Sequence, residues 1–262
     1  MSSIGFLEVG GLRLRAAPAR DACFRLVLSD SEMETLEGTG DLARRESVHR
    51  HMSNEITSLD IAAQCLVEFP DAPWGLRMEL ARQCWDESRH VAGLARRLVE
   101  MGGAKGDFPI SVFEWSITCA IDNLPGRLAA QNRTFEAGAM DVVGSNITAW
   151  REAGDSATAD LLEAILADEI QHVRFANRWL KKIAEQDRRV LLKLAMAVRW
   201  VSQVNAAVAR LNPASTEVSG SAAPAVNVED RRLAEFSDDE IHEILKQAGF
   251  RSLVPESSPA RA

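Results

Sequence analysis

The sequence predicts an all-α protein, built as a four-helix bundle with one long crossover connection. Four long segments carry apolar residues at spacings of three and four, which is the pattern of amphipathic helices. A Glu-x-x-His pattern also occurs twice, at Glu87–His90 and at Glu169–His172. A lone glutamate precedes each pattern, Glu55 by 32 residues and Glu136 by 33. The chain therefore contains a repeated pair of helices. The glutamates and histidines of these patterns lie at the same three- and four-residue spacing as the apolar residues, so they lie on the apolar face.

Each of the four helices has sequence signals at its ends. The first ends before Pro70, and the second ends at the Gly-Gly pair at 102–103, which is a helix stop signal. The third starts near Pro125, a residue favoured in a first turn, and the fourth begins at Asp155 or Ser156, both good N-caps. We therefore predict helices over residues 46–68, 75–101, 125–152 and 155–183.

The rest of the chain is predicted to extend this bundle at both ends. Residues 5–14 are glycine-punctuated and partly alternating, which indicates a small β element or an extended arm, and residues 30–46 are acidic and loop-like. The stretch 109–123 has its own helical pattern and fits the crossover. Beyond the bundle we predict a fifth helix, a Pro/Ser/Ala-rich linker and a short tail helix, over residues 187–210, 213–226 and 237–248. The predicted organisation is an N-terminal arm, a helical dimetal domain, and a linker with its tail helix, over residues 1–45, 46–210 and 211–262.

The polar residues on these helices form the ligand set of a metal site in a bundle core. Residues three apart lie about 300° apart around a helix and roughly 4.5 Å apart along it, so the Glu and His of one pattern leave the same face. Burying four carboxylates without counterions would be very costly, so we expect cations among them. Carboxylate and imidazole ligands together suit two iron ions, with manganese as the alternative metal. The predicted metal ligands are Glu55, Glu87, His90, Glu136, Glu169 and His172.

Two other glutamates fit parts of the same pattern. Glu46 and His49 form a third Glu-x-x-His, but this match lies at the start of the first helix and has no glutamate one helix upstream. We therefore interpret it as unrelated to the site, and we expect His49 and His242 to be structural or exposed. Glu114 lies on the helical stretch before the third helix and competes with Glu136 as the carboxylate from that part of the bundle. The sequence leaves the choice between Glu114 and Glu136 open.

The residues beside the ligands suggest how the histidines are held. Asp86 and Asp168 directly precede the ligand glutamates, so their side chains point about 100° away, toward a neighbouring helix. There each aspartate can accept the spare N–H of the histidine from the other repeat. Arg89 can clamp one of these carboxylates. His51 lies one turn before Glu55 and is predicted to line the pocket.

Composition and charge limit the classes of function. The formal net charge of −8 and the pI near 5.3 disfavour nonspecific binding of nucleic acid, which needs a basic surface. The chain has no tyrosine, so it cannot store a tyrosyl radical. Its four cysteines form no Cys-x-x-Cys pair, which favours reduced thiols. No signal segment and no bilayer-spanning apolar run is recognisable, so we expect a cytoplasmic protein without a membrane partner.

The order Glu, Glu-x-x-His, Glu, Glu-x-x-His, with Asp-Glu-x-Arg-His at 86–90, resembles the ferritin-like superfamily of carboxylate-bridged dimetal proteins. The stretch from Glu55 to Trp179, with Gly154 and Asp155 before the fourth helix, more closely resembles a bacterial branch, the domain-of-unknown-function family numbered 455. That branch is similar to tRNA-hydroxylating monooxygenases. The resemblance covers roughly residues 45–185. It implies a ferritin-like bundle and the same six ligands, but it says little about the substrate.

We expect an O2-dependent non-haem diiron oxidase or oxygenase that hydroxylates, N-oxygenates or desaturates a small organic molecule. Glu55 or Glu136 would shift to open a coordination position, and the small residues Ser58, Ala139 and Ala176 would leave room for substrate. Such an enzyme needs an external electron donor, and we expect a monomer or a homodimer. Four alternatives stay open: a ferroxidase that handles iron, a dimanganese enzyme that disproportionates peroxide, a tRNA-modifying hydroxylase, and an interaction protein that has lost its metals.

Overall fold

The computed structural model describes residues 5–29, 32–33, 36, 40–211 and 226–247. These residues are mainly helical, and their few strands are short, so the prediction of an all-α bundle is confirmed. No helix in these ranges is both long enough and apolar enough to cross a bilayer. The four cysteines are free, and Cys65 and Cys119 are buried.

Four long helical segments form the bundle. Three of them are single helices: α1 (Asp41–Glu68), α2 (Trp74–Glu100) and α6 (Ser156–Gln186). The third segment along the chain is composite and consists of α4 (Leu124–Ala130), a π-helix (Gln131–Glu136) and α5 (Ala137–Glu152). Helix α1 packs along α2, α5 packs along α6, and α2 also contacts α6. The interior between these pairs positions the candidate site.

The helix ends follow the sequence signals with two exceptions. Asp155 is the N-cap of α6, and its side chain accepts a hydrogen bond of 3.0 Å from the backbone N–H of Thr158. Helix α1 begins at Asp41, not at residue 46, so the last part of the expected acidic loop is helical. The predicted helix over 125–152 is not continuous, because the π-helix interrupts it. A π-turn is a short i→i+5 segment inside an otherwise α-helical stretch, so the apolar spacing on either side of it predicted one α-helix.

The N-terminal arm contains the predicted β element and one strand pair that was not predicted. Strands β1 (Phe6–Val9) and β2 (Leu12–Arg15) form an antiparallel hairpin, and Gly10 and Gly11 make its turn with φ of 54° and 78°. Strand β3 (Leu26–Val27) pairs in parallel with β4 (Ile110–Ser111). Because β4 lies in the connection between α2 and α4, this pairing fastens the arm to the crossover.

The crossover and the C-terminal region cover the outside of the bundle. The crossover carries one short helix, α3 (Phe113–Thr118), and α7 (Arg189–Leu211) packs on α4. The tail contains α8 (Val228–Leu233), which was not predicted, and α9 (Asp238–Gln247), which confirms the predicted tail helix. The predicted linker over 213–226 lies outside the described residues apart from its last position.

Two apolar clusters fill the bundle on either side of a polar layer. One cluster includes Ile61, Leu80 and Phe175, and the other includes Met52, Leu94, Leu162 and their neighbours. On each of α1, α2 and α6, the buried acidic and histidine residues of the predicted site lie between the positions that contribute to the two clusters. The polar layer is therefore enclosed by apolar packing above and below.

Candidate metal centre

The structure brings all six predicted ligands together in the polar layer. Each of them is at most 5% exposed. Their ligand atoms form two groups, and within each group all the atoms lie within 4.8 Å of one another. The first group is Glu55, Glu87, His90 and Glu169, and the second is Glu87, Glu136, Glu169 and His172. These buried groups can hold a metal ion.

Glu87 and Glu169 belong to both groups. Each of these glutamates comes from a Glu-x-x-His pattern, on α2 and on α6, and each faces the histidines of both patterns. His90 Nδ1 lies 3.1 Å from Glu87 Oε2 and 3.6 Å from Glu169 Oε1. His172 Nδ1 lies 3.4 Å from Glu87 Oε1 and 3.5 Å from Glu169 Oε2. Glu87 and Glu169 therefore offer oxygen atoms to both of the groups that can hold a metal ion.

Two donor atoms of the cluster are suited to a metal ion, because they have no hydrogen-bond partner within the described part of the chain. Among the described residues, Glu169 Oε1 and His172 Nδ1 are buried side-chain atoms without a hydrogen-bond partner. Buried polar atoms nearly always have a partner, so two such atoms in one cluster need an explanation. Both atoms face the centre of the cluster, and both have lone pairs that a cation accepts. A carboxylate and imidazole donor set of this kind suits iron, manganese or zinc, and it has no soft thiolate.

Each aspartate lies against the histidine of the other repeat. Asp168 Oδ2 lies 3.2 Å from His90 Nε2, and Asp86 Oδ2 lies 3.3 Å from His172 Nε2. The Nε2 atoms therefore point away from the cluster toward carboxylates, and the Nδ1 atoms point into it. An aspartate that accepts Nε2–H fixes the tautomer in which Nδ1 has a free lone pair. Arg89 donates to Asp86 and, at 2.9 Å, to Asp168, so it joins the two pairs on the protein surface.

Without cations, protons partly balance the charge of the cluster. Burial and the charges of Glu169 and Glu55 raise the pKa of Glu87 well above its usual value. Burial and the charge of Glu169 raise the pKa of Glu136 to about 8. Burial opposes charge on His172, but Glu169 and Asp86 outweigh it and raise the pKa of that imidazole to about 10. Metal binding would displace these protons, because carboxylate and imidazole ligands bind in their deprotonated forms.

Glu55 differs from the other cluster glutamates. Burial alone would raise its pKa, but hydrogen bonds from His51 and His90 hold the pKa well below the usual range. His51 Nε2 lies 2.7 Å from Glu55 Oε1, while Glu55 Oε2 lies 3.3 Å from His90 Nδ1. One carboxylate oxygen thus faces His51 and the other faces the cluster.

Three carboxamides around Glu136 were missed by the sequence analysis. Gln83 Nε2 donates to Glu136 Oε1, and Asn132 Nδ2 donates to Oε2 at 2.8 Å. Gln131 Nε2 lies between Glu136 Oε1 at 3.5 Å and Ser58 Oγ at 3.0 Å. Gln83 and Asn132 each stand four residues before a ligand glutamate, so helical spacing could have found them. Gln131 stands five residues before Glu136, and only the π-helix aligns it with the site.

The remaining candidates lie outside the two groups. Glu46 Oε1 accepts a hydrogen bond of 2.8 Å from Arg50, and the fully buried His49 accepts one of 3.0 Å from the backbone N–H of Gly106. His242 is exposed on α9. Glu114 lines the neighbouring cavity and belongs to neither group, so Glu136 is the carboxylate that the composite segment contributes to the cluster.

A cavity of about 840 Å³ adjoins the cluster. Glu55, Glu136 and Glu169 line its inner end, and His51 is also part of its wall. Its residues come mainly from α1 and α5, which contribute the predicted small residues Ser58 and Ala139. The expectation for Ala176 is wrong, because this residue is fully buried in the apolar cluster with Leu76 and Leu80. The cavity lining includes three carboxylates of the cluster and neither of the two Asp–His pairs.

Comparison with known proteins agrees with the family expected from the sequence. The chain matches the family model described as protein of unknown function (DUF455) over residues 9–242. No curated protein and no solved structure matches the chain significantly. The family match includes every residue of the cluster and extends from Val9, the last residue of β1, to His242 in α9. The chain therefore belongs to the DUF455 family.

Proposed function

We propose that this protein binds two iron ions in the buried cluster and uses O2 to oxidise a small organic molecule. The observation that carries the proposal is the pair of ligand groups that share Glu87 and Glu169 beside a cavity of about 840 Å³. Glu55 and His90 would complete one metal site, and Glu136 and His172 the other. Two Fe(II) ions held together supply two electrons to O2, which one ion alone does not.

The residues around the cluster have separate tasks in this proposal. Asp86 and Asp168 orient the imidazoles, as their contacts with Nε2 support. Glu55, Glu136 and Glu169 line the cavity, and Glu55 and Glu136 each belong to one ligand group only, so these two carboxylates would shift to make room for O2 or substrate. The amides around Glu136 would hold its carboxylate in the displaced position. The apolar residues Phe135, Val143 and Trp150 on one side of the cavity would limit the access of water to the cluster.

The cavity favours an organic substrate over iron handling alone. Small-molecule sites are usually clefts of about 300–1,000 Å³, and this cavity has that size, with apolar residues on one side and polar residues on the other. A centre that only oxidises iron needs a path for ions, not a large space lined by Phe135, Val143 and Trp150. The acidic net charge makes a tRNA substrate less favourable. An external electron donor would return the metals to their reduced state.

The test uses the full-length chain loaded with Fe(II) under anaerobic conditions. We expect about two iron ions per chain, and addition of O2 should cause rapid O2 consumption with a transient visible absorption. A Glu87→Gln variant, which lacks one shared carboxylate, should show neither the rapid O2 consumption nor the transient absorption. An absence of O2 uptake by iron-loaded protein would refute the proposal.

Two other outcomes would replace the proposal with a named alternative. If the protein is purified with manganese and releases O2 from hydrogen peroxide, peroxide disproportionation is its activity. If it forms a large spherical oligomer that accumulates many iron ions per chain, iron handling is its function. Sizing and elemental analysis of the purified protein separate these cases.

A further inference from the structure

The cavity beside the candidate metal centre is a long groove that runs from the protein surface to the cluster. Ala43 and Ser58 of α1 both line it, so it extends for roughly 22 Å at a rise of about 1.5 Å per residue. On α5 and the π-helix its lining extends over the same number of residues, from Phe135 to Trp150. A cavity of about 840 Å³ with this length has a mean cross-section of roughly 40 Å². The groove is therefore long and narrow.

The two walls of the groove differ in chemistry. Helix α1 contributes mainly polar side chains, among them Glu46, Arg50 and Asn54. Glu46 and Arg50 form an ion pair, so together they offer hydrogen-bond donors and acceptors. Asn54 is exposed, and it marks where this wall opens to solvent.

The wall opposite α1 carries mainly apolar side chains, together with Glu136 and Asn146. Phe135, Val142, Val143 and Trp150 line it, and Val142 is 44% exposed at the rim. Leu94 of α2 forms part of the floor. Val143 and Trp150 are only 3% and 8% exposed and belong to the apolar cluster that also contains Met52 of α1, so Val142 is the most exposed of these three side chains. A cavity of this size that has both apolar and polar lining residues is typical of a ligand site.

We propose that the groove binds a long, narrow amphipathic molecule with an apolar chain and a hydrogen-bonding head group. The chain lies against Val142, Val143 and Trp150, and the head group contacts α1 near Glu46 and Arg50. The part of the chain that reaches Glu55 and Glu136 is the part that is oxidised. The oxidation of the bound molecule rests on the proposed function. Its binding in the groove does not depend on the proposed function.

The binding test compares two uncharged ligands that differ in shape. Undecan-1-ol and 1-adamantanemethanol are primary alcohols with the same number of carbon atoms, and neither has a carboxylate that could bind metal directly. Their affinities for the full-length chain as purified are measured by calorimetry, together with its metal content. We expect the linear alcohol to bind at least about tenfold more tightly than the compact one.

A pair of variants assigns this preference to the groove. Val142→Asp places a charge on the apolar wall at a partly exposed position, and it should weaken undecan-1-ol binding about tenfold with little change for the compact alcohol. Thr148→Asp places the same charge on an exposed position of the same helix outside the groove, and it should leave both affinities unchanged.

The results separate this inference from the proposed function. If the compact alcohol binds as tightly as the linear one, or if both Asp variants weaken binding equally, the inference about the groove is wrong. Protein that binds two iron ions and consumes O2 while failing this test would refute only the groove. Protein that prefers the linear alcohol but takes up no O2 after loading with Fe(II) would refute only the oxidase proposal.

Discussion

At the scale of single residues, the ligands of the cluster are not equivalent. Glu87 lies in both ligand groups, whereas His90 lies in one. Glu87 is also fully buried, and burial and its carboxylate neighbours raise its pKa well above the usual value. The fold therefore favours the neutral form of the Glu87 side chain. We expect its charged form to contribute to metal binding and not to the stability of the metal-free protein.

The first prediction follows from this difference. Glu87→Gln removes a donor from both sites, so we expect fewer than about half a metal ion per chain, while His90→Gln should retain about one. Because the amide needs no proton to be neutral, metal-free Glu87→Gln should unfold at the same temperature as the wild type or higher. Elemental analysis and thermal unfolding measure both effects. Equal metal loss in the two variants would contradict the shared role of Glu87.

The two aspartates give the second prediction. Replacing an aspartate that orients a ligand histidine typically weakens metal binding by about 10–100-fold. Asp86 is 3% exposed and Asp168 is 21% exposed, so water can replace the lost acceptor more easily beside His90. We therefore expect Asp86→Asn to weaken metal binding more than Asp168→Asn does.

Competition with a chromophoric chelator measures these affinities. Arg82→Gln is the control, because Arg82 also contacts Asp86 but is 60% exposed, and exposed ion pairs contribute little. If Arg82→Gln weakened binding as much as Asp86→Asn, the loss would reflect surface charge and not the orientation of the imidazole.

At the scale of elements, the π-helix is held in place by the C-terminal tail. Arg133 of the π-helix pairs with Glu240 of α9, and its guanidinium lies 5.1 Å from the ring centre of Phe236. Arg231 of α8 donates to the backbone carbonyl of Ala137, the residue after the π-helix. The tail thus contacts both sides of the turn that carries Glu136.

Phe236 is the apolar anchor of this contact, and it carries the third prediction. It is 7% exposed and packs with residues of α5 and α6, so Phe236→Ala should destabilise the protein by about 3 kcal/mol. We also expect weaker metal binding at the Glu136 site, seen as loss of up to about one ion per chain. Leu233→Ala is the control, since Leu233 is 57% exposed on α8. Full metal content in a destabilised Phe236→Ala protein would show that the tail stabilises the fold without positioning Glu136.

At the scale of the whole molecule, an acidic layer is enclosed between two apolar clusters. Burial raises the pKa of Glu136 to about 8, whereas burial lowers the pKa of His172 and the charges of Glu169 and Asp86 outweigh it and raise that pKa to about 10. In the folded protein both groups bind their protons more tightly than ordinary glutamate and histidine side chains, whose pKa values are 4.5 and 6.5. Their stabilising contribution is therefore complete below pH 4.5 and is lost as the pH rises toward 10.

The fourth prediction is that metal binding removes the pH dependence of the unfolding temperature. The unfolding temperature of metal-free protein should fall between pH 5 and pH 9. Metal-loaded protein should not show this fall, because cations replace the protons and bind more tightly as the ligands lose them. Thermal unfolding over this range, with and without Mn(II), tests it. A metal-free protein that becomes more stable toward pH 9 would contradict the proton balance of the cluster.

The sequence by itself determined the bundle and five of the six residues of its polar layer, all except Glu136. Helical spacing of i and i+3 fixes which side chains share a face, and Glu55 and Glu87 share the spacing of the apolar residues of α1 and α2. Local geometry of this kind is written in the chain, so Glu87 and His90 needed no tertiary information. The pairing of Asp86 with His172 could also be reasoned out, because both repeats have the same arrangement.

Only the tertiary structure decided what surrounds that layer. Whether Glu114 or Glu136 joins the cluster depends on how the crossover and the π-helix pack, and neither is visible as a change in apolar periodicity. The amide of Gln131 reaches Glu136 through an added helical residue, and the groove is lined mainly by residues of α1 and α5. These features arise from the fit between helices distant in sequence, so no local pattern encodes them.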